Sequence, residues 1–175
     1  MELKQAKRED AERLEAFYKN AVADPDGMNR YTRWVYGLHP SDEMIERYVT
    51  QGAMYLLEDE QGIAAACALT PSQDESYHTD VWKQLLADEE VSVLHILCVD
   101  PARVRQGYGR AKVNAAVSLA EKCGKKALRL DALSTNVPAQ RLYESLGFEK
   151  RGLTRLFTRN LGWADFCLYE MPLNG

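Results

Sequence analysis

The sequence predicts a mixed α/β (α+β) fold, in which a sheet with parallel and antiparallel strands is flanked by helices. In the second half, strand-like runs alternate with helical patterns, an order that needs a crossover and at least one parallel pair. Elsewhere, strand-like segments are joined by short polar turns, which are typical of antiparallel hairpins. The 175 residues contain no repeat or linker. We therefore expect one domain over residues 1–175.

The first part of the chain predicts one short strand and two helices. The strand is expected from Glu2 to Lys7. Asp10 then stands where a residue would cap an amphipathic helix that runs to about Ala23. Ser41 is placed to cap the second helix, and Gly52 to end it.

Two strands over residues 54–57 and 63–69 are expected to form a hairpin, because a polar turn separates them. Residues 71–90 are polar and predict an inserted loop, with a short helix over 81–86. The remaining predicted elements are a buried strand over 91–99, a helix over 110–122, a strand over 127–132, a helix from Pro138, and two β-like segments over 148–156 and 164–171.

Composition and charge exclude several classes of protein. A net charge of −4 argues against nucleic acid as the main partner and weakly favours a cationic amine substrate. The N-terminus has no apolar run, and no stretch approaches the length of a membrane span, so we expect a cytoplasmic protein without membrane contact. The isolated Cys67, Cys98, Cys123 and Cys167 are typical of small buried hydrophobes, and no metal is expected. A homodimer remains open.

A turn rich in Gly and Arg separates the strand over 91–99 from the following helix. Gly107 and Gly109 let a ligand approach the backbone, and the free amides of the helix start favour an anion. The turn is not a Walker A motif, because no Gly-Lys-Ser/Thr closes it, and Lys112 occupies the third position of a G-x-G-x-x-G pattern. A phosphate-bearing ligand is expected, although a lone G-x-G also suits a plain tight turn.

A second motif lies downstream, Asn136-Val137-Pro138-Ala139-Gln140-Arg141-Leu142-Tyr143-Glu144-Ser145-Leu146-Gly147-Phe148. Together with Val99-Asp100-Pro101 and the G-x-G turn, its order and spacing resemble the GCN5-related N-acetyltransferase (GNAT) family over residues 94–148. One position departs from the family pattern, since Val104 stands where Arg or Gln is usual. The roles of Arg103 and Arg105 on either side of it stay open.

The resemblance implies a sheet that splays at its centre and admits the pantetheine arm of acetyl-CoA, the expected cosubstrate. It also implies that backbone groups at the end of the strand and in the turn hold the cofactor. The implied cofactor-binding residues are Leu97, Cys98, Val99, Val104, Arg105, Gln106, Gly107, Tyr108, Gly109, Arg110, Asn136 and Tyr143.

The implied function is an acetyl-CoA-dependent N-acetyltransferase that moves the acetyl group to a primary amine by direct transfer in a ternary complex. The acceptor is a small-molecule amine or a peptide amine. Two alternatives remain: a catalytically idle acyl-CoA-binding regulatory module, and a nucleotide-binding α/β protein, which would have no use for the motif at residues 136–148.

Tyr143 falls on the position of the family's tyrosine general acid, near the thioester sulfur. It also continues the helical stripe of Ala139, Leu142 and Leu146, so it suits a core tyrosine. Asn136 is placed either to cap the helix or to contact the cofactor.

His95 is the candidate general base, because it is a titratable side chain in an otherwise apolar strand. The spacing His-x-Leu-x-Val resembles members of the family that acetylate arylalkylamines. Strict alternation puts His95 on one sheet face with Leu97 and Val99. A hydrogen-bonded core histidine is the competing interpretation, and Glu89, Glu90 or water are the competing bases.

The acceptor pocket is expected between the first two helices and the last strands. Tyr31, Trp34 and Tyr36 are candidates for its wall, where aromatic rings would contact a cationic amine. The same residues also suit simple packing against the second helix.

Overall fold

The computed structural model describes residues 3–174, and within that range the chain forms a seven-stranded mixed sheet flanked by helices. The strand order is β1-β2-β3-β4-β5-β7-β6. The strands are β1 (Lys4–Gln5), β2 (Met54–Asp59), β3 (Gly62–Thr70), β4 (Val91–Val99), β5 (Ala127–Leu133), β6 (Glu149–Thr158) and β7 (Gly162–Pro172). The predicted fold class is confirmed. The part of the expected first strand before residue 3 lies outside the described residues.

The helices are α1 (Ala11–Ala23), α2 (Asn29–Thr32), α3 (Asp42–Thr50), α4 (Tyr108–Lys122) and α5 (Val137–Ser145). Asp10 and Ser41 occupy the predicted N-cap positions of α1 and α3, and the Ser41 hydroxyl accepts a hydrogen bond from the Met44 amide at 3.3 Å. The single turn α2 was not predicted.

Within the described chain, β4 and β5 form the parallel pair of the sheet, and the other neighbouring strands are antiparallel. Helix α4 is the crossover between them. One apolar cluster packs α1 and α3 against one face of the sheet, and a second packs α4 and α5 against the other.

The helix predicted over 81–86 is wrong: the segment has no regular structure, and single 3-10 turns lie at Glu75–Tyr77 and Asp88–Glu90. The reason is a contact within the segment itself. Trp82 stacks on the Tyr77 ring at 5.9 Å, and its indole nitrogen donates to the Tyr77 carbonyl at 2.7 Å. These contacts hold the segment against the sheet in an irregular conformation instead of a helix.

A buried ion pair fastens this segment to the strands beneath. Arg129 on β5 and Glu170 on β7 are each 1% exposed and form an ion pair at 2.8 Å. Arg129 also donates to the Gln84 carbonyl at 2.9 Å and lies 4.3 Å from the Trp82 ring. Lys83 donates its amide to Glu170 at 3.0 Å. Because the buried charges are fully paired, they hold residues 71–90 in one position.

Three of the four cysteines, Cys67, Cys98 and Cys167, are buried as predicted, whereas Cys123 is exposed. No helix of the described chain is both long and apolar enough to cross a bilayer.

Candidate active site

The sheet opens between β4 and β5. The two strands pair from Val91 and Ala127 to Leu94 and Leu130, and the ladder then stops although both strands continue. Beyond Leu94, the edge of β4 that faces β5 has no β-sheet partner in the described chain, while its other edge remains paired with β3. The central splay implied by the sequence is therefore present, and we call it the fork.

A β-bulge lies in the open part of β4. Its register with β3 shifts between His95 and Cys98, and Ile96 has a φ of +44°. This left-handed conformation is costly for a β-branched residue. The buried Tyr18 hydroxyl donates to the Ile96 carbonyl at 2.9 Å and holds the bulge in place.

The bulge makes one prediction wrong. His95 does not share a sheet face with Leu97: it stacks on Tyr48 of α3, on the face where Ile96 and Cys98 are also buried. Leu97 instead packs with the cluster under α4 and α5. One inserted residue breaks the two-residue alternation of a strand, so the side chains after it exchange faces.

The G-x-G turn opens at the same edge of the sheet as the fork. Residues 104–107, which we call the phosphate loop, lead into α4, whose N-cap Gly107 has a φ of +88°. The first amides of a helix have no partner within it and carry the positive end of its dipole. An open cavity of about 350 Å³ lies here, bounded by Val99, the loop, the start of α4 and Leu142. A pyrophosphate fits this arrangement.

The arginines around the loop differ in how firmly their side chains are held. Arg103 is 6% exposed and is committed to Asp59, at 2.7 and 2.8 Å. Arg110 donates to the Ser145 hydroxyl at 2.8 Å from an exposed position. Arg105 is exposed. The exposed side chains of Arg105 and Arg110 can therefore reorient, whereas Arg103 cannot turn away without losing both hydrogen bonds to Asp59.

The remaining predicted cofactor residues lie on β4, around the start of α4 and at the start of α5. Leu97, Cys98 and Val99 lie at the open end of β4, and Gln106, Tyr108 and Gly109 lie at the start of α4 or just before it. The Asn136 side chain accepts a hydrogen bond from the Ala139 amide at 3.2 Å, so it caps α5.

Tyr143 lies on α5 and is 7% exposed. Its ring packs against Phe148 and Tyr169, each at 5.9 Å. Burial, followed by the negative charge of Asp131, raises the pKa of its phenol. Its hydroxyl forms no hydrogen bond with residues 3–174. The group is therefore a protonated donor with a free hydrogen.

Asp131 was not predicted as a site residue from the sequence. The last paired residues are Leu94 and Leu130, so His95 on β4 and Asp131 on β5 are the first residues within the fork. Tyr77 contacts both side chains: its hydroxyl donates to Asp131 Oδ1 at 2.6 Å, and its ring meets the His95 imidazole edge to face at 6.0 Å. The available signal was a carboxylate within the predicted strand over 127–132, but placing it opposite His95 required the register of β4 and β5.

His95 is half-buried, between Tyr48 at 6.0 Å and Tyr77. Burial lowers the pKa of the imidazole, and the Asp131 charge opposes that shift in part. The neutral form therefore dominates near pH 7, and this form can accept a proton.

The competing carboxylates lie elsewhere. Glu89 and Glu90 precede Val91, at the paired end of β4 and away from the fork. Glu90 is engaged by Lys126 and by the Ala87 amide. Neither residue lies at the open end of β4.

Of the three aromatic residues proposed for the acceptor wall, Trp34 packs against the apolar cluster between α1, α3 and the sheet. Its ring lies 6.3 Å from Tyr18 and 5.6 Å from His39. The Tyr36 hydroxyl is bonded to Asp42 of α3, and Tyr31 is 37% exposed. The packing interpretation therefore suits Tyr36.

Comparison with known proteins agrees with this geometry. Residues 6–148 match the model of the acetyltransferase (GNAT) family. A [ribosomal protein bS18]-alanine N-acetyltransferase of Escherichia coli K12 is 34% identical over 92 residues, which are 52% of this chain and 61% of that protein. The crystal structure of the ribosomal-protein-S18-alanine N-acetyltransferase of Escherichia coli superposes with a TM-score of 0.70 at 21% identity, covering 99% of this chain and 94% of that one. The structure of yncA from Salmonella typhimurium, solved with its cofactor acetyl-CoA, has a TM-score of 0.68 at 18% identity and covers 98% and 93%.

The chain belongs to the acetyltransferase (GNAT) family, as the motifs indicated. The class of protein that the family match defines is the GNAT acetyltransferases. The local match spans only 61% of the length of the curated Escherichia coli relative. The acceptor in the name of that relative, the alanine of a ribosomal protein, is therefore not assigned to this chain.

Proposed function

We propose that residues 1–175 form one catalytic domain that transfers the acetyl group of acetyl-CoA to a primary amine, directly, within a ternary complex. One observation carries the proposal: the unpaired edge of β4 and the free amides at the start of α4 both lie at the C-terminal end of β4. The amides bind the pyrophosphate, and the strand edge pairs with the pantetheine amides. The thioester then lies at the fork.

The residues around the fork supply the remaining chemistry. The Asp131 carboxylate attracts the acceptor ammonium, and neutral His95 takes its proton. The amine nitrogen then forms a bond with the thioester carbon, the C–S bond breaks, and the nitrogen releases its second proton to solvent. Tyr143 donates a hydrogen bond or its proton to the departing thiolate.

The state of the cysteines supports direct transfer over an acetyl-cysteine intermediate. Cys98 lies at the open end of β4, but it is 1% exposed, and burial raises the pKa of its thiol. Cys67 is fully buried, and burial also raises its thiol pKa. A protonated, buried thiol is a poor nucleophile.

A peptide N-terminus is the first acceptor to test. The relatives are named for the alanine of a ribosomal protein, and the residues at the fork include the Asp131 carboxylate and the rings of His95 and Tyr77, which suit an ammonium group. A small amine uses the same groups.

The test is release of free CoA thiol from acetyl-CoA with a panel of acceptors: peptides that begin with alanine, polyamines, aromatic amines and free amino acids. We expect at least one primary amine to release thiol in equal amount with acetylated product. Tight acetyl-CoA binding without turnover on any acceptor would favour the idle acyl-CoA-binding module.

A further inference from the structure

Asp59, at the end of β2, accepts hydrogen bonds from residues on both sides of the phosphate loop. Arg103, just before the loop, donates from Nε to Oδ2 at 2.7 Å and from Nη2 to Oδ1 at 2.8 Å. Tyr108, just after the loop, donates its hydroxyl to Oδ2 at 2.8 Å. One carboxylate therefore ties both ends of residues 104–107 to the β2–β3 hairpin.

Further contacts fix the positions of Asp59 and Arg103. The Gln61 amide donates to Asp59 Oδ1 at 2.8 Å, so the turn of the hairpin orients the carboxylate. Arg103 is buried and also bonded to Asp100. The hydrogen bond from Arg103, aided by those from Gln61 and Tyr108, lowers the pKa of Asp59 to about 2. The carboxylate thus stays ionised at any pH at which the enzyme would work.

The loop between these anchors has a conformation that needs support. Arg105 has a φ of +67° and Gly107 a φ of +88°, so two of its four residues are left-handed. The Gln106 amide reaches the Arg103 carbonyl only at 3.4 Å. A non-glycine residue keeps a left-handed backbone only where its surroundings enforce it.

We propose that Asp59 is a positioning residue for acetyl-CoA binding, which keeps the phosphate loop and the first turn of α4 in the geometry that receives the pyrophosphate. It does this through Arg103 and Tyr108 and touches no part of the cofactor. The inference rests on the proposed acetyl-CoA site. It concerns only the pyrophosphate end of the cofactor and leaves the acetyl end unaffected.

The test compares Asp59→Asn with a matched control, Glu58→Gln. Glu58 is the neighbouring carboxylate of β2, and it pairs with Lys4 and Arg13 instead of the loop. Two ligands are titrated into each protein: acetyl-CoA, and S-acetylpantetheine, which keeps the thioester and pantetheine but lacks the pyrophosphate. Calorimetry gives Kd, and an active acceptor gives kcat and KM.

For Asp59→Asn we expect the Kd and KM of acetyl-CoA to rise about tenfold, the order expected for loss of a charge-assisted hydrogen bond. The Kd of S-acetylpantetheine and the kcat at saturation stay within about twofold of wild type, because the fork is unchanged. Glu58→Gln leaves both ligands unaffected. A general loss of structure would weaken both ligands together, so the selective loss marks the positioning role.

Tyr108→Phe is the second variant, because it removes one anchor without disturbing the buried Arg103 pair, and it carries the test if Asp59→Asn does not fold. We expect a smaller rise in the same direction, for acetyl-CoA alone. The inference is overturned if these variants bind acetyl-CoA like wild type, or if they lose both ligands equally. Failure of the wild type to bind acetyl-CoA would instead overturn the proposed function itself.

Discussion

Tyr77 and Asp131 are joined by a 2.6 Å hydrogen bond from the phenol to Oδ1, although they belong to the 71–90 segment and to β5. The bond uses Oδ1, and Oδ2 has no hydrogen-bond partner among residues 3–174. Arg129 also holds the segment that carries Tyr77, so the buried Arg129–Glu170 pair indirectly supports the carboxylate that we propose attracts the acceptor.

We predict that Tyr77→Phe lowers kcat by about tenfold while the Kd of acetyl-CoA stays unchanged. The change keeps the ring against His95 and Trp82 but lets the Asp131 carboxylate rotate. Steady-state kinetics with calorimetry check it, and Tyr55→Phe, on β2, is the control. Wild-type kcat in Tyr77→Phe would mean that the hydrogen bond only stabilises the fold.

His95→Gln tests the base. Burial lowers the pKa of His95, so kcat/KM of the wild type should fall as the pH drops through that lowered pKa and the imidazole becomes charged. In the variant we expect kcat/KM to decrease by about 10²-fold and this acidic limb to flatten. His78→Gln, at the exposed histidine paired with Asp88, is the control. An unaltered pH profile in a folded variant would transfer the role to Asp131 or water.

Tyr143→Phe removes a hydroxyl and keeps the packed ring. We expect kcat to fall by about 10–10²-fold, because the thiolate loses its donor, with little change in acetyl-CoA affinity. Tyr169→Phe is the control, since that phenol lies in the same cluster but bonds to Glu144 at 2.8 Å. If both variants keep the kcat of wild type, Tyr143 is a core residue only.

Lys112 on α4 is fully buried, and its Nζ has no hydrogen-bond partner among residues 3–174. Burial lowers its pKa to about 8 from 10.5. The unfolded chain therefore binds the proton more tightly, so the destabilisation is complete below pH 8 and is relieved as the pH rises from 8 to 10.5.

We predict that Lys112→Met raises the free energy of unfolding at pH 7 by about 1–3 kcal/mol and removes this rise with pH. Urea unfolding at pH 7 and pH 10 measures it, with the exposed Lys122→Met as control. A destabilised Lys112→Met at pH 7 would show that the ammonium has a partner that offsets its burial.

Most of the secondary structure was predictable because its signals are local. The cap at Ser41, the apolar run Val91–Val99 and the glycines around α4 all act within a few residues of chain. The G-x-G turn and the motif at 136–148 likewise predicted the family, because both are contiguous in sequence.

The details of the fork were not predictable, because they depend on tertiary contacts. Ile96 takes a left-handed φ that its residue type disfavours, and only the Tyr18 bond across the core explains it. Asp131 lies opposite His95 only because of the parallel register of β4 and β5. The 71–90 segment is shaped by Arg129, a residue far along the chain.

The measurement that tests the account most directly is the affinity of acetyl-CoA for Gly107→Val and Gly124→Val. Both glycines have a positive φ, of +88° and +70°, and a Cβ at either position meets nothing within 4 Å, so the two substitutions impose a similar backbone strain. Gly107 begins α4 at the phosphate loop, whereas Gly124 follows its other end.

If the free amides of α4 hold the pyrophosphate, calorimetry will give a Kd for acetyl-CoA that is at least about tenfold higher in Gly107→Val. Gly124→Val will bind like wild type, even though it is as destabilised. Equal affinity in the two variants, in folded protein, would contradict the placement of acetyl-CoA at the start of α4 and with it the transfer at the fork.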